Sequence, residues 1–310
     1  MIFENLKVIG GILMSRFLGV AAVQRQAFEA NADKNITEIE NTIDMLSLEY
    51  PWLDLIVFPE CTIQGLAPEL KDIAEPIPGL STQRLAKKAA EVKKWIVPGS
   101  MIELEDDKVY NTIPVFSPEG ELVTKYRKMN PFSPMEASEP GNSFTVFDIP
   151  NIGRLGILNC YDLCFPEMSR TLVSMGAEVI IHPSFAPSGF RDCEWLNRRT
   201  MAMLNQVYLI GAGSCGVHGG CPTAGHSMIV DPEGVILQEA GDTPAIQTEM
   251  LDLDKVTLVR EIGYKGAIPM LKHLNYFAHQ WPVYGNQIAT SPYIKSLDSP
   301  LNIWTELNKN

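Results

Sequence analysis

The stretch GRLGILN, residues 153–159, repeats a pattern that occurs earlier in the chain. Its LGIL at 155–158 matches LGVA at 18–21, and each run is followed by a helical pattern. A second matching pair follows in the same order, with DLIVFP at 54–59 and EVIIHP at 178–183. Such nearly continuous apolar strands are typical of sheets covered on both faces. The sequence therefore predicts an α/β fold of two packed sheets, each covered by helices, with two halves related by a pseudo-twofold axis.

Strand and helix patterns alternate along the rest of the chain. Short runs rich in Val and Ile predict strands, and amphipathic stretches that open on capping residues predict helices. Either Asn31 or Asp33 can cap the first predicted helix, and Pro166 can occupy the first turn of a later one. The predicted strands are 17–24, 53–60, 96–103, 110–117, 121–126, 144–149, 153–159, 178–183, 207–213, 226–231, 234–240 and 245–253, and the predicted helices are 31–50, 81–95, 192–206 and one from residue 166.

No Ser- or Pro-rich linker interrupts the middle of the chain, which predicts one domain over residues 15–255. Residues 1–14 are an N-terminal extension whose apolar run lacks a convincing cleavage site, so we do not interpret it as a signal peptide. Residues 256–310 are a C-terminal extension. Its aromatic residues lack periodicity, which favours an arm lying on another subunit of a homo-oligomer. These aromatic residues are Trp281, Tyr284, Tyr293 and Trp304.

Composition excludes several classes of partner. The chain has 310 residues, a formal net charge of -12 and 45% hydrophobic residues, which is typical of a soluble globular protein. Nucleic acids and anionic membranes require clustered Lys and Arg, so neither is an expected partner. No apolar run approaches the roughly 18 residues needed to span a bilayer. Because six cysteines are few for a disulfide-stapled fold of this length, free thiols and a cytoplasmic location are expected.

The stretch GILNCYDLCFPE, residues 156–167, holds two thiols, Cys160 and Cys164. Their spacing is not that of a strong zinc site, and a disulfide between them would strain the turn. Cys160 terminates a buried strand before a sharp turn, so its side chain points into the crevice at the strand ends. The Tyr161 N–H can point at the same spot. Cys160 is therefore the candidate nucleophile, weighed against the alternative that it is a small buried residue like the other five cysteines.

Three charged residues follow other predicted strands. Glu60 ends the strand LIVFPE, Lys128 follows the strand ELVTKY, and Glu136 lies further on in the same loop as Lys128. Each of these residues could simply mark the point where the chain reaches solvent. The loop around Lys128 is apolar, however, and a charged side chain without a function is not expected there. With Cys160 they supply what amide hydrolysis requires, namely a nucleophile, a base for its proton and a cation for the oxyanion. No histidine has a convincing Cys–His context.

These motifs resemble those of the nitrilase, or carbon–nitrogen hydrolase, superfamily. The resemblance covers VFPE around Glu60, KYRKMNPFSPMEASEPG around Lys128 and GILNCYDLCFPEMSR around Cys160, and extends over roughly residues 17–255. It implies a four-layer αββα sandwich and a catalytic triad of Glu60, Lys128 and Cys160. It also implies that Glu136 holds Lys128 in place, as in the aliphatic amidase and formamidase branches. Neither a cofactor nor a metal is expected.

The residues around the nucleophile indicate a substrate class. True nitrilases resemble C-W-E here, whereas this chain has C-Y-D at 160–162, as in the amidase branches. Many relatives carry Arg at the position of Cys164, and in some that Arg meets a substrate carboxylate. With Cys164 there, we predict hydrolysis of a small uncharged carboxamide, short or aryl-aliphatic, in an apolar pocket formed by Phe132, Phe185 and Tyr161. Nitrilase and N-carbamoyl or ω-amide hydrolase activities are the alternatives, because the tail after residue 255 departs from the aliphatic amidases.

Two further motifs suggest other classes of protein. VYLIGAGSCG, residues 207–216, has the G-x-G-x-x-G outline of a dinucleotide-binding turn, but VHGGCPTAG after it cannot form the required helix. AGSCG at 212–216 approaches a serine elbow and lacks a following helix for the same reason. We interpret His226 as a structural residue at a strand end. An oxidoreductase and a non-catalytic scaffold are therefore the less favoured alternatives.

Overall fold

The computed structural model describes residues 15–133, 135–218 and 220–276. The predicted N-terminal extension, residues 1–14, lies outside the described residues. The four aromatic residues of the predicted arm lie outside them as well, so the arm, the subunit interface and the domain boundaries stay predictions.

The described part of the chain alternates strands with helices along most of its length. The helices are α1 Ala32–Glu49, α2 Leu80–Val92, α3 Pro166–Ser174, α4 Arg191–Asn205, α5 Asp254–Ile262 and α6 Met270–Tyr276. The strands are β1 Phe17–Gln24, β2 Leu55–Val57, β3 Trp95–Val97, β4 Met101–Glu105, β5 Lys108–Phe116, β6 Leu122–Arg127, β7 Val146–Ile149, β8 Gly153–Ile157, β9 Val179–Ser184, β10 Tyr208–Gly213, β11 Val217–His218, β12 Cys221–Pro222, β13 Met228–Val230, β14 Ile236–Glu239 and β15 Ala245–Asp252.

Two main sheets share the same order of pairing. In the first sheet β1, β2 and β3 are parallel, β15 pairs antiparallel with β1, and β5 pairs antiparallel with β3 and carries β4 and β6. In the second sheet β8, β9 and β10 are parallel, β7 pairs antiparallel with β8, and β13 pairs antiparallel with β10 and carries β14. The matching sequence segments belong to the first two parallel strands of each sheet. The prediction of two similar halves is confirmed.

Side chains of the parallel strands alternate between two cores, because successive residues of a strand face opposite sides of the sheet. In β1, Val20 and Ala22 belong to the core that also contains β8, β9 and β10 of the second sheet. Ala21 and Val23 belong instead to the core beneath α1 and α2. Both faces of the strand are covered, which explains its continuous apolar sequence. The predicted four-layer αββα sandwich is confirmed.

Local sequence signals set the starts of the helices. The Asn31 side chain accepts a hydrogen bond from the Lys34 N–H at 3.1 Å, so Asn31 rather than Asp33 caps α1. Helix α3 begins at Pro166, as predicted. None of the helices in the described residues combines the length and apolar character that crossing a bilayer requires.

One predicted strand, 96–103, is wrong because the structure divides it into β3 and β4. The division falls at Gly99, which has a φ of +81°. A Cβ atom there would lie 1.8 Å from the Pro59 carbonyl oxygen, so glycine is required. This close approach packs the turn against the segment that follows β2. Strand β2 ends at Val57, so Glu60 lies outside the sheet.

Helices α5 and α6 lie in the segment for which the sequence predicts only an arm. Helix α5 buries Val256 and Val259, and its Val259 carbonyl accepts a hydrogen bond from Gln206 Nε2 at 2.7 Å. Only these two of its nine residues are buried, so α5 packs on the domain through a narrow apolar face.

Candidate active site

Four chain segments that follow strands meet at one edge of the packed sheets. Glu60 comes shortly after β2, Lys128 after β6, Cys160 after β8 and Phe185 after β9. Ligand sites form at such strand ends in open α/β sheets. Here the segments enclose a cavity of about 430 Å³. All eight residues predicted for the site line it, namely Glu60, Lys128, Glu136, Cys160, Tyr161, Phe132, Phe185 and Cys164.

The Lys128 ammonium lies between two carboxylates at the inner end of the cavity. Its Nζ is 2.8 Å from Glu60 Oε1 and 2.7 Å from Glu136 Oε2, and the side chain is only 2% exposed. Burial by itself lowers the pKa of Lys128, but the negative charges of the Glu60 and Glu136 carboxylates raise it, and the pKa lies well above its usual value. Lys128 is therefore a permanent cation that is fixed by both of its partners.

Glu60 is buried and accepts three hydrogen bonds. Oε1 accepts from Lys128 Nζ and from Asn111 Nδ2 at 2.9 Å, and Oε2 accepts from the Phe185 N–H at 2.8 Å. Burial raises the pKa of Glu60, and Glu136 adds to that rise, whereas Lys128 and the Cys160 thiol oppose it. A carboxylate whose pKa is raised is a better proton acceptor than an ordinary glutamate.

Asn111 of β5 links the two carboxylates and is a site residue that the sequence analysis missed. Its Nδ2 donates to Glu60 Oε1 and, at 2.8 Å, to Glu136 Oε1. Glu136 Oε2 also accepts from the Phe132 N–H. Burial raises the pKa of Glu136, but the charge of Lys128 and the hydrogen bonds from Lys128, Phe132 and Asn111 together lower it below its usual value. A buried Asn within an otherwise apolar strand is the signal that could have identified this residue.

Cys160 lies beside this charged group with its thiol protonated at rest. Its Sγ is 3.7 Å from the Phe185 carbonyl oxygen, and its backbone has a φ of 49°. Burial and the charge of Glu60 raise the pKa of Cys160 well above its usual value, although Lys128 lowers it. The thiol therefore needs a base in contact with it before it can react, and the neighbouring Glu60 carboxylate contacts it.

A third buried carboxylate, Asp162, organises the turn that begins with Cys160. It accepts hydrogen bonds from the Tyr126 hydroxyl at 2.7 Å, the Asn159 N–H at 3.0 Å, and the N–H and Nδ2 of Asn130 at 2.9 Å. These donors come from β6, from the loop after it and from the strand end before Cys160. Asp162 thereby joins the Lys128 segment to the Cys160 segment. The C-Y-D pattern at 160–162 indicates a substrate class but not this role of Asp162, which depends on donors from β6 and the loop after it.

His182 contacts the backbone of Cys160 rather than its thiol. Its Nε2 lies 2.9 Å from the Cys160 carbonyl oxygen, and its Nδ1 lies 3.3 Å from Arg198 Nε. Because Arg198 can only donate, Nδ1 is the acceptor and Nε2 carries the proton. Burial lowers the pKa of His182 to about 4, so the ring is neutral at physiological pH.

Aromatic residues form the outer wall of the cavity. The Phe132 ring contacts Tyr161 edge-on at 5.2 Å between centroids and Phe190 at 5.9 Å. Phe190 and Cys193, which the sequence analysis missed, also line the cavity. They lie at the start of α4, far in sequence from any motif, so no local pattern indicates them.

The segments behind the rival interpretations have other structures. After β10 the chain forms the short hairpin of β11 and β12 instead of a helix, so neither a dinucleotide-binding turn nor a serine elbow is present there. His226 contacts Glu239 at 3.0 Å and Asp242 at 3.1 Å, away from the cavity. It is a structural residue, as predicted.

Comparison with known proteins agrees with this architecture. The carbon–nitrogen hydrolase family model matches residues 19–261. The omega-amidase NIT2 of Homo sapiens is 33% identical over 220 residues, which cover 67% of this chain and 79% of that protein. The omega-amidase NIT3 of Saccharomyces cerevisiae is 29% identical over 283 residues, which cover 85% of this chain and 95% of that protein.

Solved structures agree as well. The crystal structure of Saccharomyces cerevisiae Nit3, a member of branch 10 of the nitrilase superfamily, superposes with a TM-score of 0.73 at 30% identity, over 79% of this chain and 94% of that one. The amidase from Nesterenkonia sp. AN1 in complex with butyramide has a TM-score of 0.71 at 24% identity, over 80% and 95% of the two chains, and shares the fold. The chain belongs to the carbon–nitrogen hydrolase family, and it is a hydrolase of the amidase class.

Proposed function

We propose that this enzyme hydrolyses a small uncharged carboxamide to a carboxylic acid and ammonia through a thioester on Cys160. The observation that carries the proposal is the buried group of Glu60, Lys128 and Glu136 in contact with an uncharged thiol. A buried charge needs a partner, and a group of two carboxylates and one ammonium has one carboxylate in excess, which can accept the proton of the thiol.

In the proposed first half-reaction, Glu60 accepts the thiol proton as Cys160 attacks the amide carbonyl. The Lys128 ammonium and the Tyr161 N–H stabilise the oxyanion of the tetrahedral intermediate. The intermediate collapses, ammonia leaves with the proton from Glu60, and a thioester remains on Cys160. The raised pKa of Glu60 supports both roles, because the same carboxyl must take up a proton and return it.

In the second half-reaction, Glu60 removes a proton from water as the water attacks the thioester. Lys128 again stabilises the oxyanion, and the acid leaves as Cys160 regains its proton. Glu136 acts as a positioning residue, since it contacts Lys128 at 2.7 Å and has no direct contact with Cys160 among the described hydrogen bonds.

The charges around the cavity support an uncharged substrate. The charged residues that line it are Glu60, Lys128, Glu136 and Glu194. Lys128 is occupied by two carboxylates, and Glu194 is paired at 2.8 Å with Arg198, which itself does not line the cavity. Within the described residues, the lining therefore offers no spare cation for a substrate carboxylate.

An ω-amide carrying a carboxylate is the second candidate substrate, because the curated relatives at 33% identity are named omega-amidases. Ammonia release from propionamide, phenylacetamide, succinamate and propionitrile separates the two. We expect the neutral amides to be turned over with kcat/KM at least about tenfold above that for succinamate and for the nitrile, a difference of about 1.4 kcal/mol. Preference for succinamate would reject the neutral-amide proposal.

The proposed nucleophile has its own test. Cys160→Ala should reduce turnover by roughly 10⁴-fold or more, as removal of a nucleophile does in other hydrolases. Cys215→Ala, which removes a buried thiol outside the cavity, is the matched control. Mass spectrometry of the rapidly quenched enzyme should detect the acyl group on Cys160. Turnover that survives in Cys160→Ala would reject the mechanism.

We also propose that the enzyme is cytoplasmic and homo-oligomeric. Its low cysteine content and acidic net charge of -12 support the location, and the aromatic residues of its C-terminal extension support the assembly. Sedimentation of the full chain should give a mass that is a multiple of 34.4 kDa. A monomer at micromolar concentration would contradict the assembly.

A further inference from the structure

Two free thiols lie together on the outer wall of the cavity. Asn197 Nδ2 is 3.4 Å from Cys164 Sγ and 3.3 Å from Cys193 Sγ, so one amide group contacts both sulfur atoms. The two thiols also contact each other. The proposed mechanism uses neither of them, and both line the cavity.

The two thiols differ in access to solvent. Cys193 is exposed near the start of α4, whereas Cys164 is partly buried at the end of the turn that begins with Cys160. Burial and the neighbouring Cys193 raise the pKa of Cys164 to about 12, so this thiol stays protonated until a reaction begins. Cys193 is therefore the thiol that an oxidant in solution reaches first.

We propose that Cys164 and Cys193 form a redox-modification site that reacts with small disulfides such as glutathione disulfide. The Cys193 thiolate attacks one sulfur of the oxidant, which forms a mixed disulfide and releases one glutathione thiolate. Cys164 then loses its proton to solvent and attacks the Cys193 sulfur, which releases the second glutathione. The protein thiols are oxidised to one disulfide, and one glutathione disulfide is reduced to two thiols.

This bond connects the turn that carries the nucleophile to α4. A disulfide holds its sulfur atoms about 2.05 Å apart, closer than two contacting thiols. It therefore draws two parts of the cavity wall together and narrows the space beside Cys160. Under the proposed amidase function, oxidation should lower the turnover of bulky amides more than that of short ones.

Peptide mapping tests the bond without reference to activity. Trypsin separates residues 155–170, which contain Cys160 and Cys164, from residues 192–198, which contain Cys193. The full chain carrying Cys160→Ala leaves Cys164 as the only thiol in the first peptide. After incubation with glutathione disulfide, we expect a linked pair of these two peptides that dithiothreitol separates. Glutathione on Cys193 without the link, or no modification at either cysteine, would overturn the proposal.

Activity tests the consequence of the bond. In the wild-type enzyme we expect oxidation to lower the ratio of kcat/KM for phenylacetamide to that for propionamide, on the order of tenfold, and dithiothreitol to restore it. Cys221→Ser, which removes another exposed thiol of the cavity, should retain this response, and Cys193→Ser should lose it. If the linked peptides form and the ratio does not change, the narrowing is rejected. If no amide is hydrolysed, the proposed function fails while the mapping result stands.

Discussion

The inner end and the outer wall of the cavity are built in different ways. At the inner end, Glu60, Lys128, Glu136 and Asn111 contact one another at 2.7 to 2.9 Å. On the outer wall, aromatic rings such as Phe132 touch their neighbours edge-on at centroid separations of 5.2 to 5.9 Å. Ion pairs and hydrogen bonds hold the inner end together, whereas contacts between aromatic rings hold the outer wall.

This difference determines how each region tolerates change. Removing one member of a buried charged group leaves its partners unpaired in a medium that solvates them poorly, so the loss spreads through the group. Removing one ring from a half-exposed aromatic wall loses only that contact and its buried area. We therefore expect the inner end to control whether the enzyme works and the outer wall to control which acyl group fits.

The largest effect on stability is expected at Lys128. Lys128→Met keeps the apolar stem but leaves Glu60 and Glu136 as two buried carboxylates without their cation. We expect the free energy of unfolding to fall by about 3–5 kcal/mol, and turnover to fall by roughly 10²–10³-fold or more.

Urea unfolding and ammonia release measure the two effects of Lys128→Met. Lys71→Met is the control, because Lys71 is 59% exposed and contacts only the exposed Asp107 in the ion pairs of the described chain. It should change stability by less than about 0.5 kcal/mol. If Lys128→Met is as stable and as active as Lys71→Met, the proposed difference between the inner end and the outer wall is wrong.

The next effect is expected at Asp162. Asp162→Asn places an amide where four hydrogen-bond donors converge, so at least one donor such as the Tyr126 hydroxyl or the Asn130 amide loses its acceptor. We expect unfolding to be easier by about 1.5–3 kcal/mol, with lower kcat as the nucleophile turn loosens. Thermal unfolding measures the loss of stability, with Asp148→Asn, a change at an exposed carboxylate, as the control. Equal melting temperatures of the two variants would show that Asp162 does not organise the turn.

A smaller effect, best seen in its pH dependence, is expected at Asn111. Asn111→Ala removes a donor to the Glu60 carboxylate, which should raise the pKa of Glu60 further. Because the proposed base must be ionised, activity is lost as the pH falls through this pKa, and the acid limb of kcat/KM should move to higher pH. At neutral pH the loss should be on the order of tenfold.

The matched control for the pH profile is Asn197→Ala. It removes an amide that contacts the outer-wall residues Cys164 and Cys193 and that has no hydrogen bond to Glu60 in the described chain. Its acid limb should coincide with that of the wild type. An acid limb that moves equally in both variants would mean that the two regions are not electrostatically distinct.

The smallest effect is expected at Phe190, which is 47% exposed and packs edge-on against Phe132. Phe190→Ala should lower kcat/KM for phenylacetamide by about 2–10-fold, the range of one aromatic contact, and leave propionamide unchanged. Leu196→Ala, in the helix α4 that follows Phe190 but outside the cavity, is the control. Equal losses for both amides would assign Phe190 to the reaction rather than to selectivity.

Sequence patterns predicted the parts of this protein that depend on neighbouring residues. The α/β class, the two matching halves and most of the strands follow from apolar runs, which report burial within one element. The helix start at Pro166 follows from a local rule as well. Glu60 and Cys160 could be predicted as site residues because each follows a buried strand, and reactive side chains at such strand ends share one edge of a sheet.

The errors and omissions involve contacts between distant segments. Gly99 divides a predicted strand because the Pro59 carbonyl lies against it, and no pattern around Gly99 encodes that neighbour. Asn111 and Asp162 were missed because their partners are 51 and 36 residues away in sequence. A hydrogen-bond partner at such a separation is selected by the packing of the sheets, which periodicity cannot report.

The amino-acid sequence by itself determined which residue types end each buried strand, because burial imposes a repeating apolar pattern that is interrupted where the chain emerges. Only the tertiary structure decided that an ammonium would be enclosed by two carboxylates, that a thiol would stay protonated beside them, and that Cys164 would meet Cys193. Those outcomes depend on distances of a few ångströms between segments that are far apart along the chain, and electrostatic and hydrogen-bond energies change steeply over such distances.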